Sequence, residues 1–165
     1  MRPQGLWLML AASAAVLGAC STTTPPTGPA TAPAGMKWNA FATPDAEQRL
    51  AYGLPDSDAV GIIFSCRRKA TSVGFLTNLV EGKPGSGSVR LRSGKVQGRY
   101  AARLTRSEIA DGLDATGQIP LADPVLAAFE QTGLISQIED RAYPQDARTS
   151  AERADIRRFF GFCRG

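Results

Sequence analysis

The chain has 165 residues, with 19 lysines and arginines against 15 acidic residues, a formal net charge of +4 and no histidine. The missing histidine removes the commonest general base and metal ligand. It excludes a Ser-His-Asp or Cys-His site within the chain and leaves the cysteines a poor zinc set.

The first element is a leader. Met1-Arg2 is a short positive n-region, and Leu6 to Leu17 (LWLMLAASAAVL) is an apolar h-region. It falls short of the roughly 20 residues that a bilayer span needs and fits a secretory signal peptide over 1–19. Its end reads Leu17-Gly18-Ala19-Cys20. A leucine, two small residues and a cysteine resemble the lipobox of bacterial lipoproteins; an ordinary signal peptide with a chance cysteine is the alternative. The resemblance implies cleavage before Cys20, a diacylglycerol on its thiol and an acylated new amino terminus, with palmitate-like chains. Two or more such chains hold a protein stably on a membrane where one holds it marginally. Ser21, rather than Asp, follows the cysteine. By the same resemblance, that implies the outer membrane, with the domain facing the periplasm.

Residues 20–36 are expected to be the lipidated cysteine and a disordered tether. Ser21 to Gly35 is all Ser, Thr, Pro, Ala and Gly, with too little apolar surface to offset the entropy of ordering. Its prolines bias it towards polyproline II, at about 3.1 Å per residue.

Residues 37–165 then form one domain, a size that supports its own core. Gln48 to Tyr52 reads as a strand ending at Gly53-Leu54-Pro55. Val60, Ile62, Phe64 and Cys66 share one face at period two, and Val73, Phe75, Thr77 and Leu79 continue the sheet. Val89 and Leu91 alternate with Arg90 and Arg92, Val96, Tyr100, Ala102 and Leu104 share a further face, and Ser93-Gly94 marks a tight hairpin between them. Asp123-Pro124 reads as N-cap and N1 and Gly133 as C′, which predicts a helix over 124–132 with Val125, Leu126 and Phe129 inward. Thr149 and Glu152 match a capping box. The helix after it turns Ile156, Phe159 and Phe160 inward, and Gly161 is expected to end it.

With Cys20 taken by lipid, Cys66 and Cys163 remain in an oxidising compartment. A disulfide is their expected pairing, two buried thiols the alternative. The predicted fold is mainly β (α+β): an antiparallel β sandwich or open barrel with a short helix and a C-terminal helix stapled to a strand.

Two family resemblances bear on function. Leu50 to Asp58 (LAYGLPDSD), Phe64-Ser65-Cys66, Leu91-Arg92-Ser93-Gly94, Tyr100, Asp123-Pro124, Phe129 and Phe159-Phe160-Gly161-Phe162-Cys163 resemble a group of small uncharacterised proteobacterial envelope proteins. That likeness implies an address and transfers no activity; Arg67-Arg68-Lys69 stands where the group often has a Gly-rich turn. A weaker likeness is to the membrane-bound inhibitors of C-type lysozyme, small exported β barrels whose inhibitory loop carries Ser-Gly-x-x-Tyr. Here Ser93-Gly94 is followed by Tyr100, three positions too far, which fits a hairpin turn and a strand tyrosine.

Catalytic motifs are lacking, and no enzyme activity, cofactor or metal site is expected. Ser93 with Lys95 or Lys83 reads as solvated turn residues. Pro55-Asp56-Ser57-Asp58 reads as a turn before a strand. Glu139 and Asp140 would face opposite ways on a strand, a poor acid/base pair. A cell-wall hydrolase remains the enzyme alternative, and it would need two carboxyls about 5–10 Å apart.

Charge is unevenly spread. Between Arg67 and Arg106 stand Arg67, Arg68, Lys69, Lys83, Arg90, Arg92, Lys95, Arg99, Arg103 and Arg106 against Glu81 alone, whereas acids outnumber bases from Ser107 onward. A basic outer sheet face is therefore expected, either simply solvated or presented to an anionic partner. The partner classes are peptidoglycan carboxylates, lipid phosphates or an acidic protein; nucleic acid is not expected outside the cytoplasm. The same charge disfavours docking to cationic lysozymes. Arg90, Arg92, Lys95, Arg99 and Tyr100, on one hairpin, are the expected contacts of a tethered, non-enzymatic binding or scaffolding module.

Overall fold

A computed structural model describes residues 28–43 and 45–165. The leader and Cys20 lie outside the described residues. The fold is mainly antiparallel β: nine strands form one nearly closed, barrel-like sheet in the order β1-β2-β3-β4-β7-β6-β5-β8-β9. The strands are β1 (Lys37–Ala42), β2 (Gln48–Gly53), β3 (Val60–Cys66), β4 (Ser72–Leu79), β5 (Gly85–Ser93), β6 (Val96–Arg106), β7 (Leu113–Pro120), β8 (Leu134–Ile138) and β9 (Ala142–Asp146). Two helices complete it, α1 (Pro124–Thr132) and α2 (Ser150–Arg164).

Alternation sets which side chains face in. Leu50, Tyr52, Ile62, Phe64, Val73, Phe75, Val89 and Leu91 are buried, as period two in their strands requires. Two glycines mark close approaches. A Cβ on Gly117 would lie 2.5 Å from the Phe75 ring, and one on Gly98 only 2.1 Å from the Tyr100 hydroxyl. In both places an aromatic ring lies across a bare strand position.

One end of the sheet, called distal here, is marked by Cys66, Ser72, Pro120 and the two-residue Gly94-Lys95 turn. There α1 turns Phe129 inward, its ring centroid 4.8 Å from Trp38 and 5.8 Å from Phe64. α1 starts and stops as its sequence implies: Asp123 accepts from the Val125 N–H, and Gly133 closes it at φ +73°. α2 packs Ile156, Phe159 and Phe160 into the same core. It runs past Gly161, which was expected to end it, to Arg164. Gly161 faces open space, so the helix bears about 1 kcal/mol relative to alanine there and continues because its flanking phenylalanines are packed.

The Cys66–Cys163 disulfide joins the end of β3 to the last turn of α2, with Cα atoms 5.7 Å apart and a sequence separation of 97. In the chain-entropy account a loop of that length stabilises by roughly 4–5 kcal/mol. α2 also seals the sheet edge. Glu152 takes the Trp38 N–H on Oε2 at 3.1 Å, while Thr149 donates to its Oε1 and accepts from its backbone N–H. The capping box thus doubles as the partner for a β1 edge donor.

The other end, the mouth, carries the loops after β2, β4 and β6 and the β8–β9 turn. Ahead of β1 the chain lies along this end, with the Ala30 N–H donating to the Ala142 carbonyl and Met36 buried.

Candidate functional site

The β5–β6 hairpin pairs over its full length, with Arg90 opposite Arg99 and Arg92 opposite Gln97. Its inner hydroxyls are fixed to the two ends of α1. Tyr100 donates to Asp123 Oδ1 at 2.8 Å, and Ser93 donates to the Leu134 carbonyl at 2.7 Å beside Thr132. Burial, and then the Asp123 carboxylate, push the Tyr100 phenol well above its usual range. The hairpin is therefore a rigid mount, pinned from inside.

Its outer face carries the cations. Arg92 and Arg99 are exposed, Lys95 stands in the turn, and Arg103, which the sequence reading did not single out, continues the row on β6. Strand alternation from Arg99 to Arg103 was the signal that could have found it. The ion pairs among the described residues join Arg49 to Glu47, Arg158 to Asp155 and Arg164 to Glu130, and none takes a hairpin cation.

The five expected contacts do not all share this face. Tyr100 is turned into the core at 7 % exposure, with its hydroxyl engaged. Arg90 is half-buried; its Nη2 donates to the Glu139 carbonyl at 2.8 Å and ties β5 to the β8–β9 turn. Two arginines directly opposite each other repel; here Arg90 turns to that carbonyl while Arg99 donates to Ser88 Oγ at 3.2 Å. A groove of about 310 Å³ beside these two arginines also gathers Glu81, Glu139 and Asp140. The free positive surface therefore runs along the outer face of the hairpin, from Lys95 and Arg92 at the distal end, past Arg99 at the border of that groove, to Arg103 nearer the mouth.

Glu139 and Asp140 sit in the turn between β8 and β9, not on a strand. Glu139 accepts from Gln137 Nε2 at 2.6 Å and from the Val80 N–H at 3.1 Å, so both its oxygens are held. Among the described residues no group of His, Cys, Asp and Glu is arranged to hold a metal, and no helix is long and apolar enough to cross a membrane. Compared with known proteins, the chain matches no family model, no curated protein and no solved structure.

Proposed function

We propose that this chain is a non-enzymatic binding or scaffolding module, anchored by lipid on Cys20 at the periplasmic side of the outer membrane, that presents a basic face to an anionic partner of the envelope. The observation that carries the reading is the outer face of the β5–β6 hairpin, where Arg92, Lys95 and Arg103 have no carboxylate partner among the described residues while the inner face is pinned to α1.

Geometry narrows the partner. The chain reaches the domain at the mouth, through Ala30 and Met36, whereas the Gly94-Lys95 turn lies at the distal end. β6 has 11 residues, a rise of roughly 35 Å along the strand. A domain tethered at its mouth then carries Lys95 away from its own membrane. That favours wall carboxylates or an acidic protein over lipid phosphates of the anchoring leaflet. The mouth loops carry Asp56, Asp58, Glu81, Glu108 and Asp111, which also suits a mouth held off an anionic surface.

The lysozyme-inhibitor reading has less support, because the hydroxyls of Ser93 and Tyr100 are both engaged inside the domain. The hydrolase reading lacks a free carboxyl pair at Glu139, whose oxygens are occupied.

The test is photo-crosslinking in intact cells from position 97, which faces outward opposite Arg92 and leaves Lys95 in place. Wall fragments or one acidic protein are expected, and Arg92→Glu with Lys95→Glu should reduce their yield at least tenfold. Recovery of lipid alone, or a yield indifferent to the charge reversal, refutes the proposal.

A further inference from the structure

The groove of about 310 Å³ beside Arg90 and Arg99 is within the size range of small-ligand sites. Besides those two arginines it is lined by Glu81, Glu139 and Asp140, with Val80 and Ile138 as apolar lining. Hydrogen bonds to other lining residues fix where the charged heads lie. Arg90 Nη2 donates to the Glu139 backbone carbonyl at 2.8 Å, and Arg99 Nη1 to Ser88 Oγ at 3.2 Å. Glu139 Oε2 accepts from the Val80 N–H at 3.1 Å, and Asp140 Oδ1 from the Tyr143 hydroxyl at 3.1 Å. Ser88, Val80 and Tyr143 all line the groove, and Arg99, Glu81 and Asp140 are exposed, so the heads border it and reach water. Opposite charges this close attract, yet the ion pairs of the described residues lie elsewhere, at Arg49–Glu47, Arg158–Asp155 and Arg164–Glu130. Arg90 takes the carbonyl of Glu139 and not its carboxylate. Neutral partners thus hold two guanidiniums apart from the carboxylates across one groove.

That separation defines the guest. A lone anion in the groove would meet three carboxylates, and a lone cation would meet two guanidiniums. Arg90 Nη1 and Arg99 Nη2 take no hydrogen bond among the described residues and match a carboxylate, which guanidiniums grip through paired N–H donors. Asp140 Oδ2 and the Glu81 carboxylate also take none and can accept from an ammonium. Glu139 has both oxygens held and adds charge alone. Arg141 sits over the Tyr143 ring, 5.5 Å from its centroid, and lines the mouth cavity rather than this groove. We infer that the groove binds a small zwitterion, its carboxylate on Arg90 and Arg99 and its ammonium on Asp140 and Glu81, with a short aliphatic stem against Val80 and Ile138. The site needs neither lipid at Cys20 nor the free cations Arg92, Lys95 and Arg103, so it stands or falls apart from the basic face.

Two sources carry that chemistry, an ω-amino acid and a short peptide with both ends free. The test titrates the full ¹⁵N-labelled chain with ε-aminocaproate and with alanyl-alanine, following backbone amide shifts. Saturable shifts confined to the groove lining are expected, and the tighter of the two identifies the source. Analogues that keep one charge each should bind at least tenfold more weakly than their parent: caproate and hexylamine for the first, N-acetyl-alanyl-alanine and alanyl-alanine amide for the second. Arg99→Gln should weaken the zwitterion at least fivefold, and Asp140→Asn, which keeps Oδ1 as an acceptor for Tyr143, should do the same. Both side chains are exposed, and unshifted spectra away from the groove check that the variants fold. Absence of shifts with both zwitterions at tens of millimolar, a single-charge analogue binding as tightly as its parent, or unchanged affinity in both variants overturns the inference.

Discussion

At the distal end of the sheet the interior is closed by aromatic rings: Phe129 lies against Trp38 and Phe64, and Phe160 meets Phe129 and Phe159 edge-on. At the mouth the interior is crossed instead by polar groups, Thr77 and Gln137 from strands that are not neighbours in the sheet, and a cavity remains beside them. The same nine strands thus carry a half filled by rings and a half that keeps a cavity, and buried polar atoms stay unpaired in both, Trp38 Nε1 among the rings and the Tyr52 hydroxyl and Gln145 Oε1 on the mouth side. The contrast is one of packing: rings fill the distal end, while the mouth is left less filled around its cavity.

Truncation on either side of that division should expose it most. Phe129→Ala removes a fully buried ring at the junction of α1 with β1 and β3 and should destabilise by about 3–5 kcal/mol. Val60→Ala, on the mouth cavity and only half-buried, should destabilise by no more than about 1 kcal/mol. Urea unfolding with the disulfide intact measures both, and similar values would mean that the two halves share one core.

The distal half was the legible one. Its strands alternate large apolar residues with polar ones, and both helices carry their own capping signals at Asp123 and Thr149. The mouth half was largely silent. β8 (LISQI) and β9 (AYPQD) bury Ser136, Gln137 and Gln145, so no apolar period marks them, and Pro144 argues against a strand unless it lies at an edge, as here. β7 turns Leu113, Ala115, Gly117 and Ile119 inward, and the two small residues hide the pattern because Phe75 fills the space above Gly117. Of the site, the cationic row was readable from alternation. The inward turn of Tyr100 followed from the same alternation, since it shares a face with Ala102 and Leu104, yet it was expected as a contact. Arg90's bond to the Glu139 carbonyl depends on a β8–β9 turn that the sequence did not announce.

Next in size is the seam where α2 meets β1. Glu152→Ala removes both the helix cap and the acceptor of the Trp38 N–H, leaving a buried donor unpaired. The expected loss is about 2–3 kcal/mol, with amide exchange at Trp38 accelerated before that at Phe64. A loss below about 0.5 kcal/mol would mean that water replaces the carboxylate at the sheet edge.

The smallest effect is the sharpest comparison, because each half holds one buried tyrosine. Tyr100 donates to Asp123, whereas the Tyr52 hydroxyl has no partner. Tyr100→Phe should destabilise by roughly 1.5–2 kcal/mol, the range for a hydrogen bond to a charged acceptor, while Tyr52→Phe should be neutral or slightly stabilising, since it deletes an unmet group. Alkali adds a second reading. Both phenols are raised above 10.0 in the folded chain, mainly by burial. Above pH about 10 the unfolded chain releases these protons and the folded chain keeps them, so each contribution is complete below that pH and falls as pH rises towards the folded value. Melting temperatures between pH 9 and 12 should therefore drop less steeply in Tyr100→Phe than in the unaltered chain. Tyr52→Phe should flatten the same limb without lowering stability at pH 7. If Tyr52→Phe is as damaging at pH 7 as Tyr100→Phe, its hydroxyl is satisfied within the fold and the mouth is no less complete than the distal end.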